Sequence, residues 1–184
     1  TWNRESRQDV EAAASTFAVS SAMEVLQAIG YVETATAQPI ILLRLLIAAT
    51  LGGVIGYERE SHGSAGLRTH ILIATAACLF TLLAFEIYHQ SDVMSTGQAD
   101  PIRSIEAVTA GIAFLGAGAI FQSRGSVKGM TTAAGMWLAG ALGVAVALGY
   151  YLIALAVAAL ALLVLAVLKA LGRHPVDERA DSGE

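Results

Sequence analysis

Two apolar runs, IILLRLLIAATLGGVIG and ILIATAACLFTLLAF, enclose a dense polar segment, GYERESHGSAGLRTH, from Gly56 to His70. Each run approaches the ~17–25 residues that a helix needs to cross about 30 Å of hydrocarbon. The charged segment therefore sits on a membrane surface between two spans. The chain is an integral membrane protein, and its function has to be read from its polar exceptions.

Composition points the same way. Hydrophobic residues make up 55% of the 184 positions, there are 18 glycines, and mean hydropathy is +0.63. Transmembrane helices tolerate glycine better than soluble ones do. The net charge of -4 says little, because the division of Lys and Arg between the two sides is what carries information. Cys78, the one cysteine, lies in mid-run and reads as a small core residue; alone it makes neither a disulfide nor a metal site. No nucleophile with a nearby base and no phosphate-binding loop is visible, so an enzyme is not expected. No basic patch suggests nucleic acid, and no cofactor is implied.

The expected fold is an all-α bundle of five transmembrane helices after a short N-terminal interfacial helix. Residues 1–38 include TFAVSSAMEVLQAIGYV, which Glu24 and Gln27 make too polar to span; it reads as an amphipathic helix ending near Gly30. A membrane domain over 39–171 follows, with spans at about 40–57, 70–88, 104–122, 131–149 and 151–170. Residues 172–184 form a short tail. Pro39, Pro101 and Pro175 all fall outside the spans. The last two spans carry no charge before Lys169, so they are expected to face lipid. Arg59, Arg68, Arg124, Lys128, Lys169, Arg173 and Arg179 share one side, against Arg103 on the other, which places the charged segment and the C-terminus in the cytoplasm and the N-terminus outside.

Small residues recur at helical spacing in three spans: Arg44, Ala48, Gly52 and Gly56; Glu106, Ala110, Ala113 and Ala117; Gly135, Ala139, Gly143 and Ala147. Such stripes, with Gly116 and Gly118 beside the second, predict close helix contacts. Arg44 and Glu106 lie near the outer ends of their spans, with Glu86 at the same level, and an internal ion pair is expected. Such a pair either fixes helix register or edges an outward-opening polar pocket together with Asp92, Asp100 and Arg103. Asp100 followed by Pro101 is also a helix-start signature. On the inner side, Glu58, Arg59, Glu60 and His62 form either a solvated surface or a site, and Thr131 and Thr132 suit helix caps.

At these residues the chain resembles a known family. GGVIGYERESHGSAGLRTHILIATAACLF, DPIRSIEAVTAGIAFLGAGAIFQ and GSVKGMTTAAGMWLAGALGVAVALGYY, taken in order, are similar to the MgtC/SapB membrane family from about Leu43 to Leu168. The resemblance implies a bacterial inner-membrane protein linked to magnesium limitation and, in pathogens, to virulence. It implies a regulatory role exerted through protein contacts, including with the membrane portion of F-type ATP synthase. Cation transport and an accessory-subunit role remain the alternatives, with a homo-oligomer open in each. By motif position, Asp100 matches an important aspartate of the family, and Glu58, Arg59, Glu60, Gly66, Arg68 and Thr69 match its signature loop. Ala113 stands where the family commonly has glycine. The ACT-like C-terminal domain of many members is not expected within the dozen or so residues after the last span.

Overall fold

In the computed structural model the chain is described over residues 32–60, 64–93, 100–123 and 126–171, with residues 11, 13–14, 16–21, 24 and 28. The described residues from 11 to 28 are helical and belong to a unit, Thr1–Ala35, distinct from Thr36–Glu184. His62, Arg124 and the tail 172–184 lie outside the described residues.

The larger unit contains five helices: α1 (Gln38–Arg59), α2 (Leu67–Val93), α3 (Pro101–Ala119), α4 (Met130–Ala147) and α5 (Tyr151–Leu171). Among the described residues, α1, α2, α3 and α4 supply four segments long and apolar enough to cross a membrane, and α5 is apolar over Tyr151–Val167. The protein is an all-α, multi-pass membrane protein. Two strands interrupt the helices. β1 (Phe121–Ser123) and β2 (Ser126–Lys128) pair antiparallel, with Phe121 opposite Lys128 and Gln122 opposite Val127. Sequence reading had carried the third span to 122. The helix stops at Ala119, and the residues from Phe121 to Ser123 pair instead with Ser126 to Lys128 as short strands.

Local chemistry sets the other boundaries. Gly129 opens α4 at φ 91°, where a Cβ would run into the Ala119 carbonyl. Gly149 closes α4 at φ 81°. There Tyr150 N–H donates to Ala145 O (2.9 Å) and Gly149 N–H to Val146 O (3.0 Å), the paired bonds of a Schellman cap. Thr131 and Thr132 do not cap α4, whose N-cap is Gly129.

The core of the larger unit is organised around α4, which packs against each of its other four helices. One cluster joins Ala48 and Ile55 of α1, Cys78 and Leu82 of α2, Leu142 and Val146 of α4, and Ala154 and Ala158 of α5. A second joins Ile73, Ala74 and Ala77 of α2 to Ile112 of α3 and Met136 and Ala139 of α4. Glycines let the backbones meet. A Cβ on Gly52 would lie 2.6 Å from His70 O, one on Gly56 2.8 Å from Leu67 Cα, and one on Gly143 would collide with the Ala74 carbonyl. The stripes of α1 and α4 thus both press on α2.

Two expectations are corrected here. α4 is the central helix, not a lipid-facing one, because its uncharged small residues admit neighbours on several sides. The α3 stripe does not pack internally: Glu106, Ala110, Ala113 and Ala117 are all exposed. α3 meets the bundle through an adjoining face of its helix, where the Ile112 side chain fills the space over Gly140 and Gly116 lies against Ala133. α5 does present leucines outward, including Leu152, Leu155, Leu160 and Leu163.

Candidate functional site

Charged and polar groups gather where α1 ends and α2 and α4 begin. α1 runs on through Glu58 and Arg59, so these residues are not in a solvated loop; Arg59 is only 7% exposed. Its guanidinium has Nη1 3.9 Å from Glu58 Oε2, and Nη2 donates to Thr132 Oγ1 at 3.4 Å. Thr132, 1% exposed in the first turn of α4, is therefore a receptor for an α1 cation. A buried charge needs partners of this kind, since leaving it alone in the membrane costs about 3 kcal/mol or more.

Glu60 follows directly and turns toward α2. Its carboxylate accepts a hydrogen bond from Leu67 N–H, placing negative charge at the start of that helix, where unpaired amide hydrogens and the dipole favour it. Gly66 makes this possible, because a Cβ there would collide with the Glu60 carboxylate. One turn on, His70 is fully buried and its Nδ1 lies 2.8 Å from Gly66 O. A carbonyl only accepts, so Nδ1 carries the hydrogen. Nε2 has no hydrogen-bond partner among the described residues and faces α4, where a Cβ on Gly135 would stand 3.0 Å away. The same Cβ would lie 3.9 Å from Arg59 Cγ. Gly135 is thus the notch into which both side chains fit.

The structure accordingly brings together Glu58, Arg59, Glu60, Gly56, Gly66 and Gly135 from the sequence reading, and adds Thr132 and His70. Arg68 is exposed and Thr69 half-buried beside them. His70 had been read as part of a polar loop. Its burial follows from its place one helical turn after Gly66, a spacing that turns it back onto α1 and α4. The cluster ties the ends of three helices together through hydrogen bonds and charge, so a change in the setting of Arg59 reaches α2 and α4 at once.

The opposite end of the bundle is built differently. Arg44 does not pair with Glu106. Its Nη1 donates to Ala147 O at 2.8 Å and its Nε to Tyr151 Oη at 3.0 Å. Ala147 O is one of the α4 carbonyls that the end of a helix leaves without an internal donor, and the cation also meets the negative end of the helix dipole. Glu86, 5% exposed, accepts from Thr36 N–H at 2.9 Å. Asp100 is the N-cap of α3, its Oδ1 accepting from Ile102 N–H at 2.9 Å. Arg103 and Glu106 are exposed on α3. No hydrogen bond or ion pair joins any two of these five residues among the described ones. The expected pocket edge at Asp92 falls on a side chain outside the described set. Among the described residues no three His, Cys, Asp or Glu side chains are grouped as metal ligands.

The model of the MgtC family matches residues 45–174. YhiD of Escherichia coli (strain K12), provisionally named a magnesium transporter, is 38% identical over 129 residues, 68% of this chain and 59% of that protein. SapB of Bacillus subtilis (strain 168) is 37% identical over 115 residues, 61% of this chain and 50% of its own length. MgtC of Salmonella typhimurium (strain LT2) is 40% identical over 116 residues, 62% and 46% respectively. The chain thus spans from 46% to 59% of the length of these relatives. No solved structure matches it.

Proposed function

This chain belongs to the MgtC family, and from that premise we propose that it is a regulatory protein of the bacterial inner membrane, non-enzymatic and tied to magnesium homeostasis. It acts through contacts with other membrane proteins, the membrane portion of F-type ATP synthase among them, and in a pathogen it serves virulence. The Arg59 end faces the cytoplasm, in keeping with the arginines and lysines gathered in the connections on that side.

One observation carries this reading. The end of α1 is joined to α4 by Arg59 to Thr132 and to α2 by Glu60 to Leu67, beside buried His70, so that one polar cluster links three helices. That is a device for relaying a contact at the surface into the bundle. The grooves described in the bundle fit the same reading, being apolar and lying along helix faces. Gentle extraction of the full chain from its native membrane, with mass spectrometry of what accompanies it, tests the proposal. A stoichiometric membrane partner that weakens with Arg59→Ala is expected; recovery of the chain with no other protein would overturn it.

The name given to YhiD favours a second reading, in which the chain moves Mg²⁺ itself. Asp100, Glu106 and Glu86 would then supply the oxygen ligands that hard cations prefer. Mg²⁺ flux into proteoliposomes that falls with Asp100→Asn would select this reading, and flux indifferent to that change would remove it.

A further inference from the structure

We propose that the outward face of α3 is the interface through which two copies of this chain pair in the membrane. The glycines of the other helices are explained by what they touch, as Gly52, Gly56, Gly140 and Gly143 each lie against another helix. Those of α3 divide differently. Gly116 meets Ala133, whereas a Cβ on Gly111 or Gly118 would meet nothing within 4 Å. Glycine inside a helix is unfavourable relative to alanine, so two glycines without a neighbour mark a surface shaped for something outside this fold.

Charge marks the neighbouring arc of the same exposed half of α3. Arg103 and Glu106 lie within the apolar span Pro101–Ala119, are exposed, and form no ion pair among the described residues. Lipid is a poor neighbour for both. α5 shows what a lipid-facing helix of this chain looks like: Leu152, 81% exposed, is followed by Leu155, Leu160 and Leu163. The exposed stripe of α3 instead reads Glu106, Ala110, Ala113 and Ala117, with Ala113 and Ala117 also edging α4, and on the Gly111 side α2 and α3 enclose an apolar groove of about 640 Å³. Small residues allow two backbones to approach, which is how helices associate where no hydrophobic driving force separates them from lipid.

A second copy is the occupant that the charges select. Around a two-fold axis normal to the membrane, the same residues of two α3 helices lie at the same depth. Arg103 and Glu106 are three residues apart, an axial step of about 4.5 Å that an arginine side chain spans. Each Arg103 then reaches the Glu106 of the other copy, and both pairs form at once. The surface is self-complementary, as a closed two-fold interface requires. Phe114, 79% exposed on the same side of the helix, closes over the partner helix from the groove side.

Oxidative crosslinking of the full chain in native membranes tests this, with buried Cys78 replaced by Ala and one cysteine introduced at a time. Ala110→Cys and Ala117→Cys are expected to give a band of two chains, and Leu152→Cys to stay at one. Energy transfer between labelled copies in liposomes supplies the second measurement. Ala110→Ile, at an exposed site on α3, is expected to weaken pairing at least tenfold. Arg103→Glu and Glu106→Arg should each weaken it, and the two together should restore it. A single-chain band from both α3 cysteines, a crosslink to a different protein, or equal crosslinking through Leu152→Cys would overturn the proposal.

Discussion

The two ends of the bundle each hold a membrane-embedded arginine, and they satisfy it by different means. Arg59 is held by side chains, Glu58 of its own helix and Thr132 of α4, inside a cluster completed by Glu60, Gly66 and His70. Arg44 is held by a backbone carbonyl at the end of α4 and by a tyrosine at the start of α5. The first arrangement couples three helices through groups that can exchange partners. The second clamps one turn. A cation beside a carboxylate-bearing helix therefore need not be an ion pair, because the end of a helix offers acceptors that sequence does not display as charge.

Removing the arginine from each end measures that difference directly. Arg59→Ala strips the cluster of its centre and takes from Thr132 the cation it accepts from; a loss of about 3 kcal/mol is expected, the scale of breaking a buried charged contact. Denaturant unfolding in detergent micelles reads it. Arg44→Ala leaves the Ala147 carbonyl and Tyr151 without a donor, and a smaller loss of about 2 kcal/mol is expected, the scale of hydrogen bonds to a charged group. Equal losses at the two ends would erase the distinction. Asp100→Ala, at the Arg44 end but engaged, among the described residues, in its own helix start, should cost about 1 kcal/mol, typical for an N-cap. Faster amide exchange confined to the first turn of α3 would register it, and a loss spreading to α4 would tie Asp100 into the clamp.

How much of this was legible depends on the range of the interaction. Asp100 and Pro101 announced the start of α3 correctly, because an N-cap is settled within three residues. The expected Arg44 to Glu106 pair failed because it needed the rotation of α3. Glu106 and Ile112 lie about 120° apart around that helix, and Ile112 is the one that faces the bundle. The small-residue stripes of α1 and α4 were read from spacing and do make close contacts, while the like-spaced stripe of α3 does not. Spacing says that residues share a face but is silent on which neighbour that face meets. His70 was named and misplaced, since a histidine near a charged segment looks solvated until the helix that carries it is turned inward.

The sequence by itself determined the class of the molecule, its apolar spans and its family. A long run of apolar residues has few alternatives to a membrane helix, and ordered motifs survive without any knowledge of contacts. Tertiary structure alone decided which helix lies at the centre, where Arg44 and Arg59 find their partners, and which face of α3 is left outward. The reason is physical: a helix apolar on every side has no amphipathic stripe to declare its inner face, so backbone approach at glycines and the few polar groups seeking partners fix its rotation.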